Sequence, residues 1–141
     1  MSTLEHAIAL AAKAHEGQTG KAGEPYILHP LRVMLKLDLP EERMAAVLHD
    51  VMEDCGWTLE RLRAEGFSEP VVGAIDALTK RPGESYEDFV RRAAAHPIGR
   101  HVKIADVEDN LDPSRIHNPT KSDRQRIEKY RRALAFLVSD R

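Results

Sequence analysis

The segment VLHDVMEDC, residues 47–55, sets four polar side chains into an otherwise apolar run: His49, Asp50, Glu53 and Asp54 lie among Val47, Leu48, Val51 and Met52. On a helix, His49 and Glu53 share a face, as do Asp50 and Asp54, and Asp50 and Glu53 are one turn apart. Burying such a patch is costly unless something compensates. Two further segments can supply the compensation. His29 immediately precedes Pro30, and Asp106 lies in VKIADVEDNL beside the core-like Val102, Ile104 and Ala105, with Asn110 one turn on. His29, His49, Asp50 and Asp106 together make two imidazoles and two carboxylates. That set suits a divalent ion such as Mn²⁺, Fe²⁺, Co²⁺ or Zn²⁺ and leaves positions open for water and substrate. A cation would neutralise the carboxylates and take the imidazole lone pairs. Glu53, one turn from the ligands, is placed to accept a proton. The competing reading makes His49 and Asp50 helix caps and leaves Glu53 and Asp54 solvated, but it gives no role to His29 or Asp106.

The elements that must position these residues read as helices. Ser2 or Thr3 can cap a first helix through about His15, before a loop containing Gly17, Gly20 and Gly23. Pro30 suits the first turn of a second helix ending near Leu37. Glu41 and Glu42 open a third, predicted to carry the whole VLHDVMEDC motif to Cys55-Gly56. Further helices are expected over 58–65, 69–79, 85–96, 98–111 and 121–138, the last with Ile127, Tyr130, Leu134 and Leu137 at helical steps. No segment alternates with a strand's period. The expected class is all-α: a compact bundle of about seven or eight helices, with 1–141 forming one domain.

Composition narrows the function classes. With 42% apolar and 31% charged residues, the chain reads as an ordinary globular protein. Aromatics are only 5%, so the core must be mainly Ala, Leu, Val and Ile. A formal net charge of −2 argues against a nucleic-acid coat or membrane-surface protein. The basic run Arg124, Arg126, Lys129, Arg131 and Arg132 is interrupted by Asp123 and Glu128, as on a solvated helix face. No segment approaches the roughly 20 apolar residues of a membrane span, and the N-terminus lacks signal-peptide character. One cysteine, Cys55, fits a reducing compartment and reads as a buried thiol, so a cytoplasmic protein is expected.

Four motifs in order, GQTGKAGEPYILHPLRV, VLHDVMEDCGWTLERL, ALTK and VKIADVEDNL, resemble the successive signatures of RelA/SpoT-type HD-domain alarmone hydrolases. The resemblance runs from about Ala11 to Leu137, and small stand-alone members match the length. It implies a compact HD-domain fold and a Mn²⁺-dependent 3′-pyrophosphohydrolase acting on (p)ppGpp. By motif position, it makes His29, His49, Asp50 and Asp106 the metal ligands. Glu53 and Asp54 match the pair that orients and activates water. Lys21, Asn110, Arg126 and Tyr130 match substrate-facing positions. The implied partner is a small nucleotide, not nucleic acid or membrane.

Two departures bear on the substrate. Longer relatives carry an Arg-Lys pair where this chain has Gly20-Lys21, and that arginine stacks on guanine. The stretch EDNLDPSRI also differs: Asp109 and Arg115 could shape a different pocket, although Asp109 reads rather as a solvated helix residue, and Lys103 as structural. Hydrolysis of another nucleotide or small phosphate ester therefore stands as an alternative. So does an inactive nucleotide- or metal-binding module, against which the retention of both Glu53 and Asp54 argues.

Overall fold

The computed structural model describes residues 2–115 and 118–139. Local signals start the helices. Thr3 Oγ1 accepts from the His6 backbone N–H at 3.1 Å to begin α1 (Leu4–Ala14), and α2 (Leu28–Leu35) follows the glycine loop. Pro40 opens α3 (Pro40–Leu48), where its missing N–H costs nothing. The helices α4 (Val51–Cys55), α5 (Leu59–Ala64) and α6 (Glu69–Ala77) come next. Ser85 caps α7 (Tyr86–Ala94), and His96 caps α8 (Pro97–Asn110) by accepting from the N–H groups of Ile98 and Gly99. A 3₁₀ turn at Pro113–Arg115 precedes α9 (Lys121–Ser139), which Thr120 caps through the Asp123 N–H at 3.1 Å. Among the described residues there is no strand, only an isolated bridge between Thr19 and Pro25 that closes the glycine loop.

The third expected helix is two. It breaks at His49 and Asp50, where Asp50 adopts φ −103° and ψ −1°. The cause is local competition for a carbonyl: His49 Nδ1 donates to Ala46 O at 2.6 Å, and the His49 backbone N–H reaches the same oxygen at 3.4 Å. Gly56, at φ +72°, then ends α4 in the left-handed conformation that glycine adopts without strain.

Helix α3 lies at the centre of the core, its Ala45, Ala46, Val47 and Leu48 fully enclosed by α1, α2, α6 and α8. Alanine at so many of these contacts lets the helix axes approach closely, which is how a chain poor in aromatics fills its interior. Leu48→Ala would cost about 2–5 kcal/mol by leaving a cavity there. A second cluster, Val90, Ala94, Val107, Ala133 and Leu137, docks α7 and α9 on the other side of α8. Helix α8 thus faces both clusters and carries Asp106 between them. Among the described residues no helix is long and apolar enough to cross a membrane.

Candidate active site

Two helices and the break between two others deliver the polar cluster that the sequence left to be compensated. His29 comes from the first turn of α2, His49 and Asp50 from the α3–α4 break, and Asp106 from α8. His29 Nε2 lies 2.8 Å from Asp106 Oδ1. His49 Nε2 lies 3.1 Å from Asp50 Oδ2 and 3.4 Å from Asp106 Oδ1. The break explains how neighbours in sequence meet at one point: a continuous helix would turn His49 and Asp50 about 100° apart. Donor atoms of His29, His49 and Asp50 lie within 4.8 Å of one another, a cluster able to coordinate a divalent ion. Two nitrogens and a carboxylate oxygen, with the Asp106 oxygen against both rings, fit such an ion in donor type as well as in spacing.

Around this centre each group is held by others. Tyr26 Oη donates to Asp50 Oδ2, and Lys103 Nζ donates to Asp106 Oδ2 at 3.0 Å. Asn110 Nδ2 reaches Asp106 Oδ1 at 3.4 Å. His29 Nδ1 donates to Asp109 Oδ2 at 2.6 Å, and Arg32 grips the same carboxylate through Nε–Oδ1 at 2.9 Å and Nη2–Oδ2 at 3.2 Å.

Without an ion, the cluster balances its own charge. Burial disfavours a charged His29, but the hydrogen bonds to Asp106 and Asp109 outweigh it and raise the ring's pKa to about 10. His49 is also raised, the charges of Asp50 and Asp106 overcoming its burial. For Asp106, burial pulls upward, yet Lys103 and the two imidazoles hold it well below the usual carboxylate range. Asp109 is depressed to about 2, its burial outweighed by His29 and Arg32. Glu53 and Asp54 move the other way: partial burial, and then the charge of Asp50, raise both.

The centre opens into a cavity of about 710 Å³. Glu53 is on its wall, while Asp54, on the adjoining exposed face of α4, is not among its lining residues. Lys21, Asn110, Arg126 and Tyr130 all line it. Asp123, in the first turn of α9, pairs with Arg126 and lies 3.9 Å from Lys21, so one carboxylate gathers both cations at the rim. Tyr130 packs edge-on against Tyr86, with centroids 6.1 Å apart. Gly20 leaves room that Glu24 fills: a Cβ at residue 20 would collide with Glu24 Oε1. Glu24 Oε2 is enclosed with no hydrogen-bond partner among the described residues.

Asp109 is a correction. Expected as a solvated helix residue, it is only 3% exposed, because α8 turns it onto His29 and Arg32 of α2. The available signal was a matched spacing: His29–Arg32 and Asp106–Asp109 are both one turn apart, so two helices meeting there present two pairs in register. Lys103 packs as expected, with Nζ 4.5 Å from the centroid of the Phe89 ring, and its ammonium also neutralises Asp106. Tyr26 and Asp123 carried no such signal. The side chain of Arg115 lies outside the described residues.

A profile of the HD domain matches residues 7–141. The chain belongs to the HD-domain family. It is 39% identical over 114 residues to the guanosine-3′,5′-bis(diphosphate) 3′-pyrophosphohydrolase of Vibrio cholerae, covering 77% of this chain and 16% of that protein. The protein of the same name from Haemophilus influenzae is 45% identical over 129 residues, covering 83% of this chain and 19% of that one. The bifunctional (p)ppGpp synthase/hydrolase SpoT of Escherichia coli is 39% identical over 111 residues, covering 75% and 15% respectively. The HD-domain chain thus spans about a sixth of the length of the first of these curated relatives. A solved structure, from a study of a metazoan ortholog of SpoT that hydrolyzes ppGpp, aligns with a TM-score of 0.79 over 97% of this chain and 85% of that one. At 22% identity, that likeness is one of fold.

Proposed function

We propose that this HD-domain chain, read as one domain over 1–141, is a divalent-metal-dependent 3′-pyrophosphohydrolase of (p)ppGpp. The observation that carries the proposal is the convergence of His29, His49, Asp50 and Asp106 at the base of a cavity rimmed by Lys21 and Arg126. These four residues would hold the ion, with Mn²⁺ the proposed occupant. A bound ion would supply Lewis acidity, making water more acidic and withdrawing charge from the phosphoryl oxygens. Glu53, with its pKa raised by partial burial and by Asp50, accepts the proton of the attacking water more readily than an ordinary carboxylate would. Asp54, outside the cavity lining but near enough to Asp50 for their charges to interact, is proposed to help orient that water. Lys21 and Arg126 offset charge on the substrate phosphates, Arg126 through its planar fork. Asn110 and Tyr130 line the path between rim and floor, where they contact ribose and phosphate. A single cysteine, which can form no internal disulfide, supports the proposed cytoplasmic setting.

A second reading keeps the ion and the water but changes the nucleotide, and one observation favours it: Glu24 fills the space beside Gly20, the position where the resemblance implies a guanine-stacking arginine. A nucleotide panel incubated with Mn²⁺ and assayed for released pyrophosphate separates the two. Conversion of ppGpp to GDP and pyrophosphate is the expected result. Survival of ppGpp while another compound is hydrolysed would assign the site to that compound.

A further inference from the structure

Resting on the metal-site reading above, we infer that Asp109, gripped by Arg32, is a positioning residue that fixes His29 with Nε2 toward the ion. A neutral imidazole carries its proton on one nitrogen and offers the other as a ligand, and the partner of the protonated nitrogen decides which is which. The two histidines solve this differently. His49 has a carbonyl one turn behind it, and its Nδ1 donates to Ala46 O at 2.6 Å. The His29 ring reaches instead to a different helix, where Nδ1 donates to Asp109 Oδ2 at 2.6 Å. In both rings Nδ1 is thereby occupied, and both Nε2 atoms lie within 3.4 Å of the same Asp106 oxygen.

A buried carboxylate can do this only if its plane is held and its charge matched. Arg32 supplies both with two parallel hydrogen bonds, at 2.9 and 3.2 Å, to the two oxygens of Asp109. Lysine could match the charge but not the plane. Arg32 sits one turn after His29 on α2 and Asp109 one turn after Asp106 on α8, so the clamp and the ligands it serves are carried by the same two turns. Arg32 and Asp109 both lie within the sequence motifs, yet neither is among the site residues that the resemblance implies. The pair orients a proposed ligand from outside the coordination sphere. Loss of such a partner typically weakens ion binding by about 10–100-fold.

The test is Mn²⁺ titration, followed by the electron paramagnetic resonance of the free ion, on the wild-type protein, Asp109→Asn, Arg32→Gln and the double variant. Circular dichroism monitors folding, and ppGpp hydrolysis is measured at limiting and saturating Mn²⁺. The expected result is about a 10–100-fold weaker Kd for Mn²⁺ in Asp109→Asn, a smaller loss in Arg32→Gln, and no further loss in the double variant. Saturating Mn²⁺ should restore most of kcat while KM stays at the wild-type value. Wild-type Mn²⁺ affinity in a folded Asp109→Asn would overturn the inference. So would a raised KM with unchanged ion affinity, which would make the pair a substrate contact. A tie that merely joins α2 to α8 would lower the melting temperature and leave Kd alone. Should Asp109→Asn fail to fold, Arg32→Gln carries the test, since weaker ion binding supports the clamp and unchanged binding removes it. A wild-type protein that binds Mn²⁺ but spares ppGpp defeats the proposed substrate and leaves the clamp standing, whereas one that binds no Mn²⁺ defeats both.

Discussion

At the floor of the cavity His29, His49, Asp50 and Asp106 are each held by at least two other side chains, whereas at the rim Lys21 and Arg126 share a single carboxylate. His29 lies between Asp106 and Asp109, and Asp106 among His29, His49, Lys103 and Asn110. Lys21 is 67% exposed and stands 3.9 Å from Asp123, while Glu24 keeps an oxygen without a partner among the described residues. The contrast separates two tasks. A site that must present donor atoms to an ion is built in advance, because misplacement there costs affinity and rate together. A site that must select a nucleotide can be retuned at its edge without disturbing the ion. Floor and rim variants should therefore fail in different ways.

The largest effect is expected from Asp50→Ala. It removes a donor and leaves His49 and the Tyr26 hydroxyl without their shared carboxylate. Hydrolysis should fall below detection. The rise in melting temperature expected of the wild type in Mn²⁺, worth about 2.7 kcal/mol at a hundredfold excess over Kd, should disappear from calorimetric scans. Next comes Glu53→Gln, on the wall between the two regions. Its Mn²⁺ affinity should stay near wild type while kcat drops by about 10²–10⁴, as single-turnover assays would show; undiminished turnover would remove Glu53 from proton transfer. At the rim, Lys21→Ala and Arg126→Ala should each raise KM for ppGpp about tenfold, near 1.4 kcal/mol, with Mn²⁺ affinity unchanged. If either variant weakened ion binding instead, the division between floor and rim would fail.

The smallest effect concerns pH. With the ion stripped by chelator, the folded state holds His29 at about 10, above its ordinary 6.5. Its contribution to stability is therefore complete below pH 6.5 and is lost as pH rises toward about 10. Melting temperatures in chelator should decline gradually over that range, and His29→Gln should flatten the decline. Mn²⁺ should reverse the trend, because the ion requires the ring neutral.

Much of this was legible in the residues because it is local. Thr3, Ser85 and the Glu41-Glu42 pair mark helix starts that the structure keeps. The polar interruption at 49–54 announced its cost in the sequence. The break inside it did not, since apolar spacing continues through His49 and only the Nδ1–Ala46 bond, a choice of rotamer, opens the helix there. Asp109 was hidden for the opposite reason. Its partner Arg32 is 77 residues away, and a lone aspartate on a helix resembles any solvated one until the second helix is in place.

The break between α3 and α4 has one more consequence, for local opening. Helix α4 is barely more than one turn, secured by the buried Val51, by the Asp54 N–H to Asp50 O bond at 3.0 Å and by Gln18 reaching Asp54 O at 3.4 Å. Helix α3, by contrast, is wrapped by the core. The segment with Glu53 and Asp54 can therefore unwind while His49 stays anchored, and its amides should exchange with solvent deuterium well before those of residues 45–48. The carboxylates assigned to the water would then come and go on a faster clock than the residues assigned to the ion.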